Sequence, residues 1–553
     1  MSENLSKLSA RKGLEDNLFE AIVQAKGEPV RLKEIAKNFK VGESSVYGPS
    51  TAYDFIQGEN AGKKAYVCNG SSCLCAGSQD SVRQALENEF GSSEVGHVTC
   101  LGRCHENAAF QLDGINYSGD DIQSLSGILS ERKNSMENYL VDCLLDKPLL
   151  TESIASVDDY YQLLVKLSQA HSKENLLQQI IDSGLRGRGG AGFPTGVKWQ
   201  SCANETSAEK YIVCNADEGD PGAFSDRYLM EQRPHAVLFG MLTAGYLAGA
   251  HWGVLYIRDE YPQSVEQIQQ AIEDFEKLEL DKALNFEFQF KIIRGAGAYI
   301  CGEETALLRS IEGQRPMVSV RPPFPTVKGL FGKPTILNNV ETFAAIHWIL
   351  ENSAAAFNAL GNGRSTGSKL LSLDSSFSKP GIYEVAMGES LSAVIEKAGG
   401  FVKPVKALHI GGPLGGLVPA SHFEKLTLDF ESFSENGFLL GHASIIGIPQ
   451  TQNIAEYILH LFDFTAAESC GKCFPCRLGA TRGKEMFRDA LNGTNKLDRV
   501  LLDDLLETME KGSLCALGGG VPLPVKNALE YFFDEMTELF EPGSITRIPV
   551  VEA

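Results

Sequence analysis

Thirteen cysteines are spread over 553 residues, and eight of them fall into two groups whose spacing suits iron–sulfur chemistry. Cys470, Cys473 and Cys476 stand at C-x2-C-x2-C spacing in ESCGKCFPCR and can cap three corners of one cubane. A ferredoxin run would place a fourth cysteine three residues later, and none is there. The next is Cys515, in GSLCALGG, reached across a helical hairpin and expected as the fourth ligand of a [4Fe–4S] cluster. Cys68 and Cys73 are separated by four residues, Cys100 and Cys104 by three, so two loops can present a thiolate pair each to a [2Fe–2S] centre. Zinc is the alternative, but its C-x2 to C-x4 knuckles fit the x4 plus x3 combination less well. Cys75 is a competitor that reads as a spare thiol. Cys143, Cys202 and Cys214 have no partner at ligand spacing and read as ordinary buried thiols, and Cys301 as a packing residue.

A second kind of chemistry is written in LRGRGGAGFPTGVKW, Leu185 to Trp199. Glycine accepts positive φ and carries no Cβ, so backbone N–H groups in such a run can close on an anion, as a phosphate requires. Arg186, Arg188 and Lys198 add positive charge, which sets the stretch apart from a plain surface turn. Gly187, Gly189 and Gly192 satisfy G-x-G-x-x-G, but that fingerprint must follow a strand, and the preceding ENLLQQIIDSG is helical in its spacing. A dinucleotide-binding βαβ unit is therefore rejected here. Downstream, YIVCNADEGDPGAFSDR reads as a strand, Tyr211 to Cys214, running into an acidic turn at Asn215, Asp217, Glu218 and Asp220. RGAGAYICGEETALL repeats the theme with Tyr299, then Glu303 and Glu304 in the first turn of a helix, where capping is the plainer role for the acids.

These three segments, together with LNNVET at Leu337 to Thr342, resemble the flavin-binding subunit of the respiratory complex I family. The family extends to diaphorase subunits of soluble NAD-linked hydrogenases and formate dehydrogenases. The resemblance runs from about Asp182 to the C-terminus. It implies that the glycine loop (Gly187, Gly189, Gly190) with Lys198, Asn215, Asp217, Glu218, Tyr299, Gly302, Glu303, Asn338, Asn339 and Thr342 holds FMN. Phe193 would stack on the adenine of NADH and Glu304 would hydrogen-bond its ribose or nicotinamide region, with Asp220, Arg321 and Phe324 as further NADH residues. Glu218 and Glu304 would position the rings, and no side chain is expected to act as the catalyst, because hydride passes from nicotinamide to FMN and single electrons from there to the clusters, or the reverse. The chain departs from the respiratory enzymes where Asp220 replaces a Glu, where they have a second aromatic near Ser201, and where Arg321 replaces a Lys before PPFP.

The elements that position these residues are legible in outline. Residues 1–60 read as a short helical segment, from LEDNLFEAIVQAKG and VRLKEIAKNFK, similar to the helical start of the two-iron subunit of complex I. Residues 61–135 alternate strand (KKAYVC), loop, helix (SQDSVRQALENEF), strand (HVTC) and loop, which resembles that subunit's thioredoxin-like [2Fe–2S] domain. A linker rich in Lys, Ser, Glu and Asn lies around Glu131 to Asn138. Residues 140–352 alternate helices with apolar strands such as VLYIRD, as expected of an α/β FMN- and NADH-binding domain. Residues 353–435 resemble the β-grasp domain of the same family and are read as a structural spacer. Residues 436–553 form a helical bundle for the [4Fe–4S] cluster. The whole is an α/β multidomain chain.

Composition sets the outer limits. Hydrophobic content of 43% and charged content of 22% are those of a globular protein too long for one core. No apolar run is long enough for a membrane span, and MSENLSKLSARKG has no signal-like apolar stretch, so the expected location is cytoplasmic. The net charge of -21 argues against a nucleic-acid groove. The expected cofactors are FMN, NAD(H), one [2Fe–2S] and one [4Fe–4S].

Three functions are weighed. The motifs look most similar to the beta subunit of NAD-dependent molybdenum or tungsten formate dehydrogenase, working with a catalytic alpha subunit rich in iron–sulfur clusters and, in some complexes, a small two-iron gamma subunit. The alternative is the matching subunit of an NAD-linked nickel–iron or iron–iron hydrogenase. A non-catalytic iron–sulfur scaffold is the third, against which the intact glycine loop and both glutamates stand.

Overall fold

The computed structural model describes residues 13–131 and 139–542. Most of the expected linker, from residue 132 to 138, and the first twelve residues lie outside the described residues. The chain opens with three short helices, Leu18–Gln24, Pro29–Asn38 and Ser44–Ser50. Asn17 caps the first by accepting the Glu20 N–H at 3.1 Å, and its own amide donates to the Ile311 carbonyl at 2.9 Å. Leu18, Phe19 and Ile22 bury themselves against Val213, Val254 and Ile293 of a distant sheet. The segment's apolar face thus covers another domain rather than its own core.

Strands β1 (Ala65–Cys68), β2 (Val95–Val98), β3 (Phe110–Leu112) and β4 (Ile115–Tyr117) form a sheet ordered β2-β1-β3-β4. β1 runs parallel to β2 across the helix Gln79–Phe90 and antiparallel to β3, a thioredoxin-like arrangement. The second strand ends at Val98, two residues earlier than HVTC suggests, so Cys100 falls in the loop beyond it. Where a loop was expected after β1 there is a short helix, Ser71–Ala76, which carries Cys73 and Cys75.

Strand β5 (Leu140–Cys143) lies in the stretch assigned from sequence to the flavin domain, yet it pairs parallel with a strand more than two hundred residues later. The flavin region's own sheet is wholly parallel: β6 (Tyr211–Ala216), β7 (Trp252–Ile257), β8 (Gln289–Arg294) and β9 (Thr335–Asn339), ordered β8-β7-β6-β9. Parallel sheets are covered on both faces. One face carries the helix Pro234–Ala248, apolar all round and buried along nearly its whole length, packed with Ile212, Cys214 and Ala216. The N-terminal helices cover the other face, on which Val213 sits by strand alternation.

A two-stranded ribbon, β10 (Gly361–Asn362) and β11 (Ser365–Thr366), leads into β12 (Ser368–Leu373), β13 (Gly381–Ala386), β14 (Val405–Ile410), β15 (Gly416–Pro419) and β16 (Ser444–Pro449). With β5 these last five make a mixed sheet ordered β15-β14-β16-β12-β13-β5. The expected limits of 353 and 435 do not contain this sheet, which takes β5 from the start of the stretch assigned to the flavin domain and β16 from after residue 435. The pairing of β5 is set by partners far away in sequence, and β16 joins β12 some seventy residues before it. The remainder is helical: Ile454–Glu468, Phe474–Leu491, Arg499–Gly512, Ala516–Gly520 and Pro522–Tyr531 share one core. Among the described residues no helix is long and apolar enough to cross a membrane.

Candidate functional site

In the order β8-β7-β6-β9 the chain steps outward from β6 to one side and returns on the other with β9. Strand order reverses between β6 and β9, and the crevice beyond the carboxyl ends at such a switch point is where open parallel sheets bind ligands. Asn215 of β6 pairs in register with Asn339 of β9, and Cys214 with Asn338, so the expected asparagines stand side by side at that crevice.

The glycine loop closes over the same place, between the helices Lys173–Asp182 and Thr195–Ala203. Its neck is fixed by Gly187 N–H to the Phe193 carbonyl and Thr195 N–H to the Leu185 carbonyl, both 2.8 Å. Gly190 (φ +115°) and Gly192 (φ +60°) adopt conformations that other residues rarely take. The N–H groups of Gly189, Gly190 and Ala191 have no acceptor among the described residues. A glycine cradle with free amides fits an anionic phosphate. The two arginines do not serve it as expected. Arg186 reaches Glu431 at 2.6 Å and lies over the Phe430 ring, and Arg188 is buried with a guanidinium N–H on the Thr366 carbonyl. Both tie the loop to the mixed sheet's side, leaving Lys198 as the cation of the crevice.

Most of the residues expected to hold FMN hold one another. Asn215 donates to the Gly302 carbonyl at 2.9 Å and accepts the Asp217 N–H at 3.2 Å. Asn338 accepts the Trp199 indole N–H, Asn339 caps the helix Val340–Ala344 and donates to Asp226, and the Thr342 hydroxyl accepts the Arg188 N–H. Glu218 uses both carboxylate oxygens on the N–H groups of Asp226 and Arg227, so it faces the helix Ser225–Gln232 instead of the crevice. Tyr299 donates to Asp220 at 2.6 Å, which places Asp220 behind that ring. Glu303 does cap, accepting the Thr305 and Ala306 N–H groups through Oε2, but its Oε1 is buried without a partner, as is Oδ2 of Asp217. Two unpartnered carboxylate oxygens fit the donors of a polar ring, as the free loop amides fit a phosphate.

At the mouth, Glu304 lies 2.5 Å from Arg321 and 3.8 Å from Lys198, whose ammonium also donates to the Leu337 carbonyl. Burial lowers the Lys198 pKa from its ordinary value, and Glu304 works against that. Phe193 and Phe324 are 52% and 54% exposed, and neither ring packs into a core. Large apolar rings left open to solvent suit a stacking ligand.

The four thiols expected to hold two irons are buried together. Cys100 and Cys104 sulfurs are 3.6 Å apart, Cys68 interacts with both Cys73 and Cys100, and the Gly70 and Gly102 N–H groups point at the Cys68 and Cys100 sulfurs. Such N–H to sulfur contacts suit thiolates carrying a cluster. Cys75 turns toward the C-terminal helices, since two residues along a helix rotate a side chain by about 200°.

Cys473 caps the helix Phe474–Leu491, Cys476 lies in its first turn, and Cys515 caps Ala516–Gly520, so two helix N-termini converge with Cys470 on one spot. Positive helix ends favour an anionic cluster. A Cβ on Gly518 would run into that of Cys476, which explains a glycine where the two helices meet. Among the described residues no three cysteine sulfurs lie within 4.8 Å of one another, whereas thiolates around one zinc would sit about 3.8 Å apart. Cys202 and Cys214 are buried as expected, while Cys143 is half-buried.

Three residues were not singled out from sequence. Arg258 donates to the carbonyls of Glu218 and Cys100 at 2.7 and 3.0 Å. Glu468, two residues before Cys470, accepts the Thr99 hydroxyl and the Tyr299 N–H. His442 lies against Glu218 and Asp226. Each depends on partners far along the chain, and no local pattern signals it.

Comparison with known proteins agrees with these three centres. Residues 180–348 match the Nuo51 FMN-binding domain, 456–539 the NADH-ubiquinone oxidoreductase-F iron-sulfur binding region, and 27–133 the thioredoxin-like [2Fe-2S] ferredoxin. The chain is 38% identical over 389 residues to an NADH-quinone oxidoreductase subunit of Rhizobium meliloti, covering 69% of this chain and 92% of that protein. It is 33% identical over 537 residues to the NAD-reducing hydrogenase HoxS subunit alpha of Cupriavidus necator, covering 91% and 87%. A chain in the crystal structure of an H2-reduced NAD+-reducing [NiFe]-hydrogenase superposes with a TM-score of 0.85 at 28% identity, over 95% of this chain and 92% of that one.

Proposed function

The chain belongs to the Nuo51 family, whose members serve as subunits in NADH-quinone oxidoreductases and NAD-reducing hydrogenases, and on that premise we propose that NADH and FMN meet in the crevice beyond β6 and β9. It is an NAD-dependent oxidoreductase subunit with FMN, a [2Fe–2S] and a [4Fe–4S] centre. FMN, when bound, converts a two-electron hydride into single electrons.

The residues divide the remaining work. Free amides at Gly189, Gly190 and Ala191 hold the phosphate, and Lys198 balances its charge. Asp217 Oδ2 and Glu303 Oε1 take the polar edge of the ring, inside a frame that Asn215, Gly302, Asn338, Asn339 and Thr342 keep rigid. Glu304, set by Lys198 and Arg321, orients the ribose or nicotinamide, and Phe193 with Phe324 grips the adenine. Asp220 acts through Tyr299, and Glu218 through the helix it caps. The observation that carries this reading is the glycine loop, whose amides at Gly189, Gly190 and Ala191 lack an acceptor and whose Gly189 lies against Asn339 at the end of β9. Anaerobic addition of NADH to the isolated flavin-loaded chain tests it: a flavin absorbance that does not bleach sinks it.

Cys470, Cys473, Cys476 and Cys515 would hold the cluster that supplies one-electron exchange with a partner, and a hydrogenase-type catalytic subunit with a nickel–iron or iron–iron site is the partner we favour. The relative that spans 91% of this chain is a hydrogenase subunit, which supports hydrogen ahead of formate. A formate dehydrogenase alpha subunit with molybdenum or tungsten, with or without a small two-iron gamma subunit, is the second reading, supported by the motifs NADEGDPGAFSDR and CGKCFPCRLG. The complex works in the cytoplasm. Metal analysis of the chain purified with its native partners separates the two: nickel supports hydrogenase, molybdenum or tungsten supports formate dehydrogenase.

A further inference from the structure

Glu218, Asp226 and His442 meet from three elements: the turn after β6, the helix Ser225–Gln232, and the bend before β16. His442 Nε2 is 3.3 Å from Asp226 Oδ2 and 3.7 Å from Glu218 Oε1, and the side chains are 7%, 2% and 0% exposed. Asp226 Oδ1 and His442 Nδ1 are buried with no hydrogen-bond partner. Two carboxyls and an imidazole shut away together cannot all be charged or all be neutral without cost, so the group must hold at least one mobile proton.

The triad lies between two centres. Toward the flavin crevice, Asp226 Oδ2 accepts the Asn339 amide at 2.5 Å, and Gly190 of the glycine loop packs on the backbone of Gly441 and His442. Toward the two-iron loop, Arg258 bridges the carbonyls of Glu218 and Cys100, and the Tyr261 hydroxyl is 3.3 Å from the Glu218 carbonyl. Neighbouring charges are Lys369 on β12, held by Glu341, Arg227 on the triad's own helix, Arg258 after β7, and Asp220 in the turn after β6.

Resting on the assignment of Cys68, Cys73, Cys100 and Cys104 to a two-iron centre, we propose that the Glu218–Asp226–His442 triad couples a proton to that centre's electron. When one electron arrives at the centre, one proton from solvent is taken up by the triad, and both are given back when the electron leaves. Titration agrees with the geometry. Burial opposes the charged imidazole of His442, but Asp226 and then Glu218 outweigh it and hold its pKa at about 9. Burial, and then Asp226, push Glu218 up to about 7. The triad therefore has a site half-filled near neutrality, ready to gain or lose a proton as the local charge changes.

The test is potentiometry of the full, cofactor-loaded chain, following the two-iron signal by electron paramagnetic resonance from about pH 6 to 9. The midpoint of the natural protein is expected to fall with rising pH, and His442→Gln to remove at least half of that dependence while the FMN content and the four-iron signal stay unchanged. An unaltered pH dependence in His442→Gln overturns the coupling. If that variant loses its cofactors, nitrogen NMR of the histidines in the natural protein decides: an imidazolium persisting to about pH 8 supports the triad, and a neutral His442 at pH 7 overturns it. The donor separations of 3.3 and 3.7 Å also suit a divalent ion, so one stoichiometric divalent metal beyond cluster iron, lost in His442→Gln, overturns it too. NADH bleaching in the same samples tests the flavin assignment independently.

Discussion

Glu468 holds the Thr99 hydroxyl at 2.8 Å with one carboxylate oxygen and the Tyr299 N–H at 3.0 Å with the other. Thr99 precedes Cys100, Tyr299 lies in the flavin segment, and Glu468 stands two residues before Cys470, so one side chain joins the approaches to three redox centres. Burial pushes its carboxyl up to about 7.

Glu468→Ala leaves two part-buried donors without an acceptor, which costs up to about 1 kcal/mol each. Rapid-freeze spectroscopy is expected to show electron arrival at the two-iron centre slowed at least tenfold, with flavin bleaching by NADH unchanged. Unslowed transfer would remove Glu468 as the strut between these centres.

Arg186 and Glu431, 245 residues apart, clamp the glycine loop to the mixed sheet at 2.6 Å. Both are only partly exposed, 21% and 25%, so a coupling of about 1 kcal/mol is expected from a double-mutant cycle on FMN affinity. Each single alanine should weaken FMN binding by roughly fivefold to tenfold, measured by flavin fluorescence on reconstitution. Additive effects would mean that the pair does not act through the loop.

Glu304→Gln is expected to raise KM for NADH about tenfold, a loss near 1.4 kcal/mol, with FMN content intact. Loss of FMN would instead assign Glu304, through Lys198, to the flavin.

Cys515→Ser should abolish the four-iron signal and lower iron by about four atoms per chain, while the two-iron signal and NADH bleaching persist. Gly518→Ala should weaken the same signal, because the added methyl would run into the Cys476 side chain.

His442 should also register in stability. Its folded pKa of about 9 lies above the ordinary 6.5. Its contribution, roughly 3 kcal/mol, is fully present below pH 6.5 and lost as pH rises through 9. The raised Glu218, from 4.5 to about 7, acts in the same direction over the lower part of that range. The apparent melting temperature is expected to fall between pH 6.5 and 9 and to fall less in His442→Gln; equal slopes would contradict the ion pairing.

What could be read in advance was what local spacing encodes. The cysteine groups and glycine loop are such patterns: ligand geometry and backbone freedom act over a few residues, and the structure brings each set together. Side-chain direction is not local. Glu218 and Asn339 look like ligands in NADEGDPG and LNNVET, but both are spent on capping helices. His442 and Asp226 are 216 residues apart, and nothing near either announces the other. The strands β5 and β16 are equally silent, because their own residues do not show which distant strands they pair with.

The N-terminal helices pack on the flavin sheet, and β5, soon after the two-iron domain, is built into the mixed sheet. The domain itself is fastened at two places, by Ser72 to Asp374 and by Asn116 to the Glu260 carbonyl. A carrier pinned twice cannot swing out to collect an electron and deliver it elsewhere, as tethered redox domains do. Its exchange with the flavin should be a fixed-distance event, insensitive to solvent viscosity, in which the separation of the centres rather than the reach of a tether sets the rate.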